Sequence, residues 1–306
     1  MTKINDLIIL GAGPAGITAA IYAVRQGIDF FLVSLDVGGQ TAWSGDIENY
    51  TGYQFITGPE LVLKFQEHID SFGVKANIPE EVKDLRKEDN FTKTVTDKKE
   101  YFSRSVIIAT GKRPKLLGVE GESEFKNKGV TYCATCDGPL FKDKKVAIIG
   151  GGNSALEAAL QMVKISPQIY MINIASDLTA DKVLQEAVSK VSNVEIWNSS
   201  QVKRIYGDNF VKGIEVEREG ETKNLDVEGV FIEIGLIPNS EFTTGLSLKK
   251  NKLDEIIVDC YNKTNIEGIF AAGDVTNVPE KQIIIACGEG SKASLSAFRY
   301  LSTHRF

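Results

Sequence analysis

The chain has 306 residues, of which 42% are hydrophobic, and a formal net charge of -6. This length and hydrophobic content suffice for one large domain or two ordinary ones with packed cores, which excludes a disordered chain. The negative charge supplies no clustered positive field, so no nucleic-acid partner is expected. The N-terminal residues show no secretory pattern, and no apolar stretch approaches the roughly 18 residues of a membrane span. We therefore expect a soluble, cytoplasmic protein with no membrane partner.

The first predicted element is a strand at Asp6–Leu10, followed by a glycine-rich turn at 11–16 and an alanine-rich helix that ends near Gln26. The turn has the pattern G-x-G-x-x-G, in which glycines allow a dinucleotide pyrophosphate to approach the helix N-terminus. The alternative is a structural turn that binds nothing. The next strand, Phe30–Ser34, does not end in the acidic residue that would bind a ribose hydroxyl.

The same plan returns in the second half of the chain. A strand at Lys145–Ile149 precedes a turn at 150–155 with the permitted variant G-x-G-x-x-A and a helix. The following strand, Ile169–Ser176, offers neither a Glu for a 2′-hydroxyl nor an Arg cluster for a 2′-phosphate. These glycines therefore either bind a nucleotide or only pack helix against strand, and both interpretations stay open.

Further similarities follow each glycine turn. Buried strands that end in Gly and Pro lie at 106–114 and 230–238, so the chain is expected to contain two related α/β domains. A last strand, at Gly268–Asp274, is followed by a helix but has no glycine fingerprint of its own. We expect it to complete the first domain. The predicted domains are therefore 1–114 with 242–306, and 115–241.

Cys133 and Cys136 form a C-x-x-C pair that is followed directly by Asp137. The chain has only two histidines and no second cysteine pair, so no metal site is expected. Two cysteines at this spacing can form a disulfide that takes part in thiol exchange, and Asp137 can move the proton that each exchange needs. The pair is the predicted redox centre. Cys260 and Cys287 have no near partner and are expected to be buried small hydrophobic residues.

Basic residues bracket the cysteine pair in sequence. They are Lys112, Arg113, Lys115, Lys142, Lys144 and Lys145. A solvated face explains such a cluster, and the functional alternative is a docking patch for an acidic protein.

Several segments together resemble the low-molecular-weight flavin thioredoxin reductases. They are Gly-Ala-Gly-Pro-Ala-Gly at 11–16, Gly-Gly-Gln at 38–40, Ala-Thr-Gly at 109–111, Cys-Ala-Thr-Cys-Asp-Gly at 133–138, Gly-Gly-Gly-Asn-Ser-Ala at 150–155 and Ala-Ala-Gly-Asp at 271–274. The match runs essentially from end to end, and residues 178–296 also resemble the reductase part of the alkyl hydroperoxide reductase flavoprotein. The resemblance implies two Rossmann-like dinucleotide-binding domains of the three-layer ββα type.

The resemblance further implies FAD as cofactor, thioredoxin as the protein substrate and a homodimer. It gives Cys136 the flavin-facing role, Cys133 the attack on thioredoxin and Asp137 the transfer of a proton. The residues implied to bind FAD lie on several separate turns. They are Gly11, Gly13, Pro14, Ala15, Gly16, Gly39, Gln40, Asn49, Thr110, Gly111, Gly273, Asp274 and Gln282.

The electron-donor site departs from the pattern of this family. Members that use NADPH carry a His-Arg-Arg type segment after the second strand of the second domain, and relatives that use NADH carry a Glu there. Residues 173–176 provide neither, and without Arg a 2′-phosphate has no bidentate partner. This resembles the ferredoxin-dependent branch, so reduced ferredoxin is the expected donor. The alternatives are an NADPH- or NADH-dependent thioredoxin reductase, a flavin redox sensor without turnover and a dithiol oxidase.

Overall fold

The computed structural model describes residues 3–44 and 46–304, and the side chains of residues 46, 135 and 136 are outside that description. The described part folds into two compact units: unit 1 comprises Met1–Arg113 and Ile237–Phe306, and unit 2 comprises Pro114–Leu236. The chain returns from unit 2 to unit 1 between Leu236 and Ile237, earlier than the predicted domain boundary between residues 241 and 242. The reason is that Asn239 is already hydrogen-bonded to the unit 1 backbone, through its N–H to the carbonyl of Gly111 at 2.9 Å.

The first part of unit 1 alternates between strands and helices before the chain leaves it through a short connecting strand. In chain order its elements are β1 (Ile4–Ala12), α1 (Pro14–Arg25), β2 (Phe30–Val37), a 3-10 helix (Gly39–Trp43), β3 (Asp46–Ile47), β4 (Ile56–Thr57), α2 (Gly58–Ser71), β5 (Ala76–Asn77), β6 (Val82–Glu88), β7 (Phe91–Thr96), β8 (Glu100–Ile108) and the connecting strand β9 (Lys112–Pro114).

Unit 2 and the returning part of unit 1 follow. Unit 2 contains β10 (Val130–Thr131), α3 (Ala134–Asp137), a 3-10 helix (Gly138–Phe141), β11 (Val146–Ile149), α4 (Asn153–Met162), β12 (Ile169–Ile172), α5 (Lys182–Ser189), β13 (Val194–Trp197), β14 (Ser200–Gly207), β15 (Val211–Arg218), β16 (Glu221–Asp226) and β17 (Gly229–Ile232). The chain returns through β18 (Leu236–Pro238), 3-10 helices at Glu241–Thr243 and Gly273–Val275, β19 (Ile269–Ala271) and α6 (Ile283–Thr303). Within the described residues, no helix is long and apolar enough to cross a membrane.

The main sheet of unit 1 has the strand order β5-β2-β1-β8-β7-β6. β8 has two kinds of neighbour, because its first residues pair antiparallel with β7 while Val106–Ile108 pair parallel with β19. The chain therefore comes back to the sheet in which it began. Successive side chains of β1 alternate between the two faces: Leu7 and Ile9 face the core shared with α1 and α6, and Ile8 and Leu10 face the opposite core. Because both faces of the strand are buried here, the successive residues Leu7 to Leu10 are all apolar.

Unit 2 has a parallel sheet with the order β10-β17-β11-β12-β13. Helix α4 covers one face, where Leu156 and Ala159 pack against the strand residue Ile148. The antiparallel strands β14, β15 and β16 cover the other face, where Ile214 packs in one core with Ile149. The resulting layers are antiparallel sheet, parallel sheet and helices, as expected for the ββα type.

Helices α1 and α6 of unit 1 approach each other at a position where a side chain does not fit. A Cβ built on Gly290 of α6 lies 2.0 Å from the carbonyl oxygen of Ala15 in α1. Likewise, a Cβ on Gly16 lies 1.8 Å from the carbonyl oxygen of Gly11, so the same end of α1 also presses on the turn that precedes it. Glycine at these positions sets how close the last helix lies to the first glycine turn.

We expect Gly290→Ala to lower the free energy of unfolding of unit 1 by about 1 to 3 kcal/mol, the usual cost of forcing extra volume into packed backbone. Gly288→Ala is the matched control in the same helix, because Gly288 is exposed and an added Cβ meets no atom within 4 Å. The control should gain about 0.5 to 1 kcal/mol from helix propensity. Thermal unfolding of the purified protein, followed by circular dichroism, measures both; equal behaviour of the two variants would contradict the packing argument.

Candidate active site

The turn between β1 and α1 is shaped to receive a negatively charged ligand. Gly11 has φ +103, and a Cβ there would lie 2.4 Å from the carbonyl oxygen of Ala109 at the end of β8. Gly13 precedes α1 in an extended conformation, Pro14 occupies the start of the helix, and no side chain caps it. The first N–H groups of α1 are therefore left for a ligand, as in sites that bind a pyrophosphate at a helix N-terminus.

The end of β2 faces this turn and corrects one expectation from the sequence. β2 continues past Ser34 to Val37, because its pairing with β1 shifts register and resumes at Ala12. The longer strand includes Asp36, whose carboxylate accepts a hydrogen bond from the N–H of Gly39 at 3.2 Å. An acidic residue thus does stand at this strand end. From the sequence this strand was expected to end at Ser34, two residues before Asp36.

Other predicted FAD-binding residues meet across long stretches of sequence. A Cβ on Gly39 would lie 3.7 Å from Gly13, and one on Gly273 would lie 3.0 Å from the Cβ of Ala15. Gln40 is in the 3-10 helix that Gly39 begins. The side-chain nitrogen of Asn49 donates to the side-chain oxygen of Gln282 at 3.1 Å, although the two are 233 residues apart. These contacts place α6, β19 and the first glycine turn around one region of unit 1.

Thr110 and Gly111 lie just after β8 and are held by a residue that the sequence did not single out. The hydroxyl of Thr110 donates to the carbonyl oxygen of Asn239 at 2.5 Å, and the amide nitrogen of Asn239 donates to the carbonyl oxygen of Thr110 at 2.8 Å. Asn239 therefore fixes the loop that carries Thr110. The signal was not recoverable from local sequence, because 129 residues separate the pair.

The surroundings of the Asp274 carboxylate show whether this region can bind FAD. Its side chain is partly buried, and burial raises the pKa of its carboxyl above the usual value, while Lys281 and Lys112 oppose this increase. Among the described residues, none donates a hydrogen bond to this carboxylate. A partly buried carboxylate without a donor is an acceptor for a ligand hydroxyl, such as the ribityl chain of FAD carries. The glycine turn and this carboxylate together fit the cofactor.

Lys112 belongs to a buried ion cluster beside Asp274 and not to a surface patch. Its Nζ lies 2.7 Å from Oε1 of Glu255, and their side chains are 9% and 7% exposed. Lys281 lies 3.0 Å from the same carboxylate oxygen. Arg113 is also engaged, because it donates to Asn239 at 2.8 Å. The docking patch considered from the sequence is therefore wrong for Lys112, whose charge is neutralised inside unit 1.

In unit 2, Cys133 is disulfide-bonded. Thr131, which the sequence analysis overlooked, connects the residues around it: its hydroxyl donates to the Asp137 carboxylate and accepts a hydrogen bond from the N–H of Cys133 at 3.2 Å. The Asp137 N–H in turn donates to the carbonyl oxygen of Cys133 at 3.2 Å. This turn brings Asp137 next to Cys133, as its predicted role requires. The side chain of Cys136 lies outside the described part of the structure.

The two remaining cysteines differ from each other. Cys287 is buried in α6, where its sulfur lies 3.8 Å from the Tyr50 hydroxyl, and burial raises the pKa of its thiol. Cys260 is exposed, so the expectation that it is buried is wrong. It lies in a turn before β19, outside any helix or strand.

The second glycine turn is occupied from one side by Asn173. β12 ends at Ile172, earlier than predicted, and the Asn173 side chain folds inward and is 4% exposed. Its nitrogen donates to the carbonyl oxygens of Ala175 and Asp177 and, at 2.8 Å, to Oδ1 of Asn198. A Cβ on Gly151 would lie 2.5 Å from the Asn173 oxygen. Asn173 thus organises the loop itself, and its polar atoms are already used.

Comparison with known proteins places the chain in a family. The model of the pyridine nucleotide-disulphide oxidoreductases matches residues 5–290. The chain belongs to this family. It is 42% identical over 97% of its length to an NADH dehydrogenase of Bacillus subtilis and 41% identical over 97% to the F component of the alkyl hydroperoxide reductase of Escherichia coli. It spans 58% of the length of each of these relatives.

Solved structures are similar over nearly the whole chain. The thioredoxin reductase of Lactococcus lactis is 34% identical with a TM-score of 0.82, covering 98% of this chain and 99% of that one. A ferredoxin-flavin thioredoxin reductase of Clostridium acetobutylicum is 31% identical with a TM-score of 0.56, and 99% of each chain is covered. The predicted fold of two Rossmann-type dinucleotide-binding domains is confirmed. FAD is confirmed as the cofactor at the level of the family, whose members are FAD-dependent flavoproteins. The ferredoxin-dependent branch is only a distant neighbour.

We expect Asp274→Asn to weaken FAD binding by about 10- to 100-fold, the effect of losing a hydrogen bond to a charged acceptor. Asp89→Asn is the matched control in unit 1, because Asp89 is exposed on the turn between β6 and β7. Titration of the deflavinated protein with FAD, followed by quenching of flavin fluorescence, measures the dissociation constant. An unchanged constant in Asp274→Asn would remove this residue from the site.

Proposed function

We propose that this chain is an FAD-dependent disulfide oxidoreductase that reduces thioredoxin or a thioredoxin-like protein through Cys133 and Cys136. The observation that carries the proposal is the disulfide-bonded Cys133, which lies in a C-x-x-C turn beside the Asp137 carboxylate. A disulfide in such a turn exchanges with an incoming thiolate, and a neighbouring carboxylate can hold or deliver the proton. FAD, when bound, supplies the electron pair that reduces this disulfide.

The three residues of the redox turn take different roles in this proposal. Once the pair is reduced, the Cys133 thiolate attacks the disulfide of the substrate protein and forms a mixed disulfide with it. Cys136 then attacks Cys133, which releases the reduced substrate and restores the internal disulfide. Asp137, held by Thr131, takes up and returns the proton of the attacking thiol. In this proposal Cys136 is the residue that faces the flavin.

Unit 1 is proposed as the FAD-binding domain and unit 2 as the domain that carries the redox pair. Support comes from the convergence in unit 1 of the glycine turn, the Asn49–Gln282 hydrogen bond and the Asp274 carboxylate. The remaining predicted residues of the cofactor site, from Gly11 to Gln282, are proposed with the same role. A cytoplasmic homodimer completes the proposal and rests on the resemblance to thioredoxin reductases.

For the electron donor, the proposal is a nicotinamide dinucleotide, with NADH favoured over NADPH. Relatives that are 41% to 42% identical carry the names NADH dehydrogenase and alkyl hydroperoxide reductase, in the latter case its F component. This similarity supports a nicotinamide donor better than the ferredoxin expected from the sequence. NADH is favoured because the segment 173–181 contains no Arg for a 2′-phosphate.

Reduced ferredoxin is the second candidate, and one observation favours it. The Asn173 amide is turned into its own loop and hydrogen-bonded there, so it offers little to the ribose of a nicotinamide dinucleotide. Addition of NADH, NADPH and then chemically reduced ferredoxin to the anaerobic flavoprotein decides between the donors. Prompt bleaching of the flavin absorbance by NADH is the expected result, whereas bleaching by ferredoxin alone would establish the second candidate.

The cysteine roles predict different trapping behaviour. The probe is a thioredoxin variant that keeps one active-site cysteine, and this cysteine is activated as a mixed disulfide with nitrothiobenzoate. Cys136→Ser should form a stable mixed disulfide with this probe, because Cys133 attacks the activated cysteine and no Cys136 thiol remains to release the thioredoxin. Both variants are made in a Cys260→Ser background, because the exposed free thiol of Cys260 would itself attack the activated disulfide. Cys133→Ser should then not trap thioredoxin, and both variants should lose at least about 100-fold in thioredoxin reduction. Non-reducing gels and steady-state assays measure these effects.

Cys260→Ser is the control for this experiment, since Cys260 is an exposed free cysteine. It should trap no thioredoxin and should reduce it at the rate of the unmodified protein. Trapping by Cys133→Ser in place of Cys136→Ser would reverse the two roles.

A further inference from the structure

A carboxylate that the sequence analysis did not consider lies beside the redox turn of unit 2. β10 pairs parallel with β17, with Val130 opposite Val230 and Thr131 opposite Phe231. Parallel strands end at the same edge of a sheet, so the residues that follow them are neighbours. Cys133 follows β10 by two residues and Glu233 follows β17 by one. The topology therefore brings Glu233 to the segment that carries Cys133.

The electrostatics of Glu233 agree with this placement. The backbone N–H of Ala134, the residue directly after Cys133, acts as a hydrogen-bond donor that lowers the pKa of the Glu233 carboxyl. Glu233 is itself anchored, because its own N–H donates to the carbonyl oxygen of Ile149 at 2.8 Å. A Cβ on Gly150 would lie 2.3 Å from the carbonyl oxygen of Glu233, so the backbone of Glu233 packs directly on the second glycine turn.

The surroundings of Glu233 raise the pKa of its carboxyl, so its neutral form persists to a higher pH than in an ordinary glutamate. Burial, aided by the Glu157 carboxylate on α4 and opposed by the Ala134 N–H, raises the pKa of its carboxyl to about 7. Asp137 on α3 is occupied with the Thr131 hydroxyl, and the turn at 150–152 consists of glycines without charge. No cation among these neighbours neutralises Glu233. At a pH well above 7 it is therefore a negative charge close to Cys133.

We propose that Glu233 is a positioning residue for the redox pair: it holds the Cys133–Ala134 peptide through the Ala134 N–H and controls how readily the reduced Cys133 thiol ionises. This inference rests on the proposed redox role of Cys133. A thiol releases a proton to become the nucleophilic thiolate, and a nearby negative charge opposes that ionisation. Ionised Glu233 therefore raises the pKa of the Cys133 thiol, and loss of its charge lowers it.

The test is the pH profile of Cys133 alkylation in the reduced, FAD-containing full chain. A Cys136→Ser background leaves Cys133 as the thiol of its peptide, and mass spectrometry of that peptide after brief exposure to iodoacetamide gives the rate from pH 6 to 10. Glu233→Gln keeps a side-chain oxygen for the Ala134 N–H but carries no charge. We expect it to shift the midpoint of the profile to lower pH by about 0.5 to 1 unit.

Glu228→Gln is the matched control, because Glu228 precedes β17 at the strand end opposite Glu233 and is exposed. It removes the same charge and should leave the midpoint unchanged. A Glu233→Gln midpoint that coincides with that of the parent, or lies at higher pH, overturns the proposal. Retained flavin and an unchanged circular dichroism spectrum show that the variant is folded.

The experiment uses neither an electron donor nor thioredoxin, so it separates this inference from the proposed function. A shifted profile in a protein that fails to reduce thioredoxin would support the role of Glu233 and refute the proposed activity. Thioredoxin reduction with an unshifted profile would refute the role of Glu233 alone.

Discussion

The candidate cofactor site of unit 1 depends on backbone segments that approach more closely than any side chain permits. Gly16 presses α1 on the turn that begins at Gly11, and Gly290 lets α6 lie against the carbonyl of Ala15. Because α6 is held there, Gln282 at its N-terminus reaches Asn49, and the segment after β19 delivers Asp274 to the same region. In such close packing, a displacement of α6 would also displace the residues of the candidate site, because a protein interior has little free volume to absorb it.

Unit 2 repeats this architecture with different chemistry at its strand ends. In unit 1 the helix N-terminus at Gly13 is left open toward a ligand. In unit 2 the N-terminus of α4 at Gly152 likewise has no side-chain cap, and the turn before it packs against Asn173 on one side and against Glu233 on the other. In the function that we propose, the same scaffold carries the cofactor site in one unit and the redox turn in the other, so function is determined by the site and not by the fold.

The two units differ in the charged residues that surround their buried or partly buried carboxylates. Lys112 and Lys281 share the Glu255 carboxylate inside unit 1, and both lysines also lower the pKa of the partly buried Asp274 carboxyl. Around the redox turn of unit 2, by contrast, Glu233 has a carboxylate neighbour in Glu157 and, among the described residues, no neutralising cation. Partial burial of a carboxylate raises its pKa toward neutrality, because its charged form is disfavoured away from water. The redox turn consequently lies next to a group that titrates near physiological pH.

The sequence by itself determined what depends on local pattern: the two glycine turns, the apolar strands before them, the cysteine pair with Asp137, and through these the fold class and the cofactor. It did not identify Asp36, Thr131, Asn239 or Glu233 as parts of a site, because their partners are set by strand register and by contacts between distant segments. Glu233 meets Ala134 across almost 100 residues of chain only because β10 and β17 are adjacent in one parallel sheet. Burial also decided which charges are usable: the sequence put Lys112 in a basic cluster and Asp274 among the implied FAD ligands, and only packing shows that one is neutralised and the other lacks a donor.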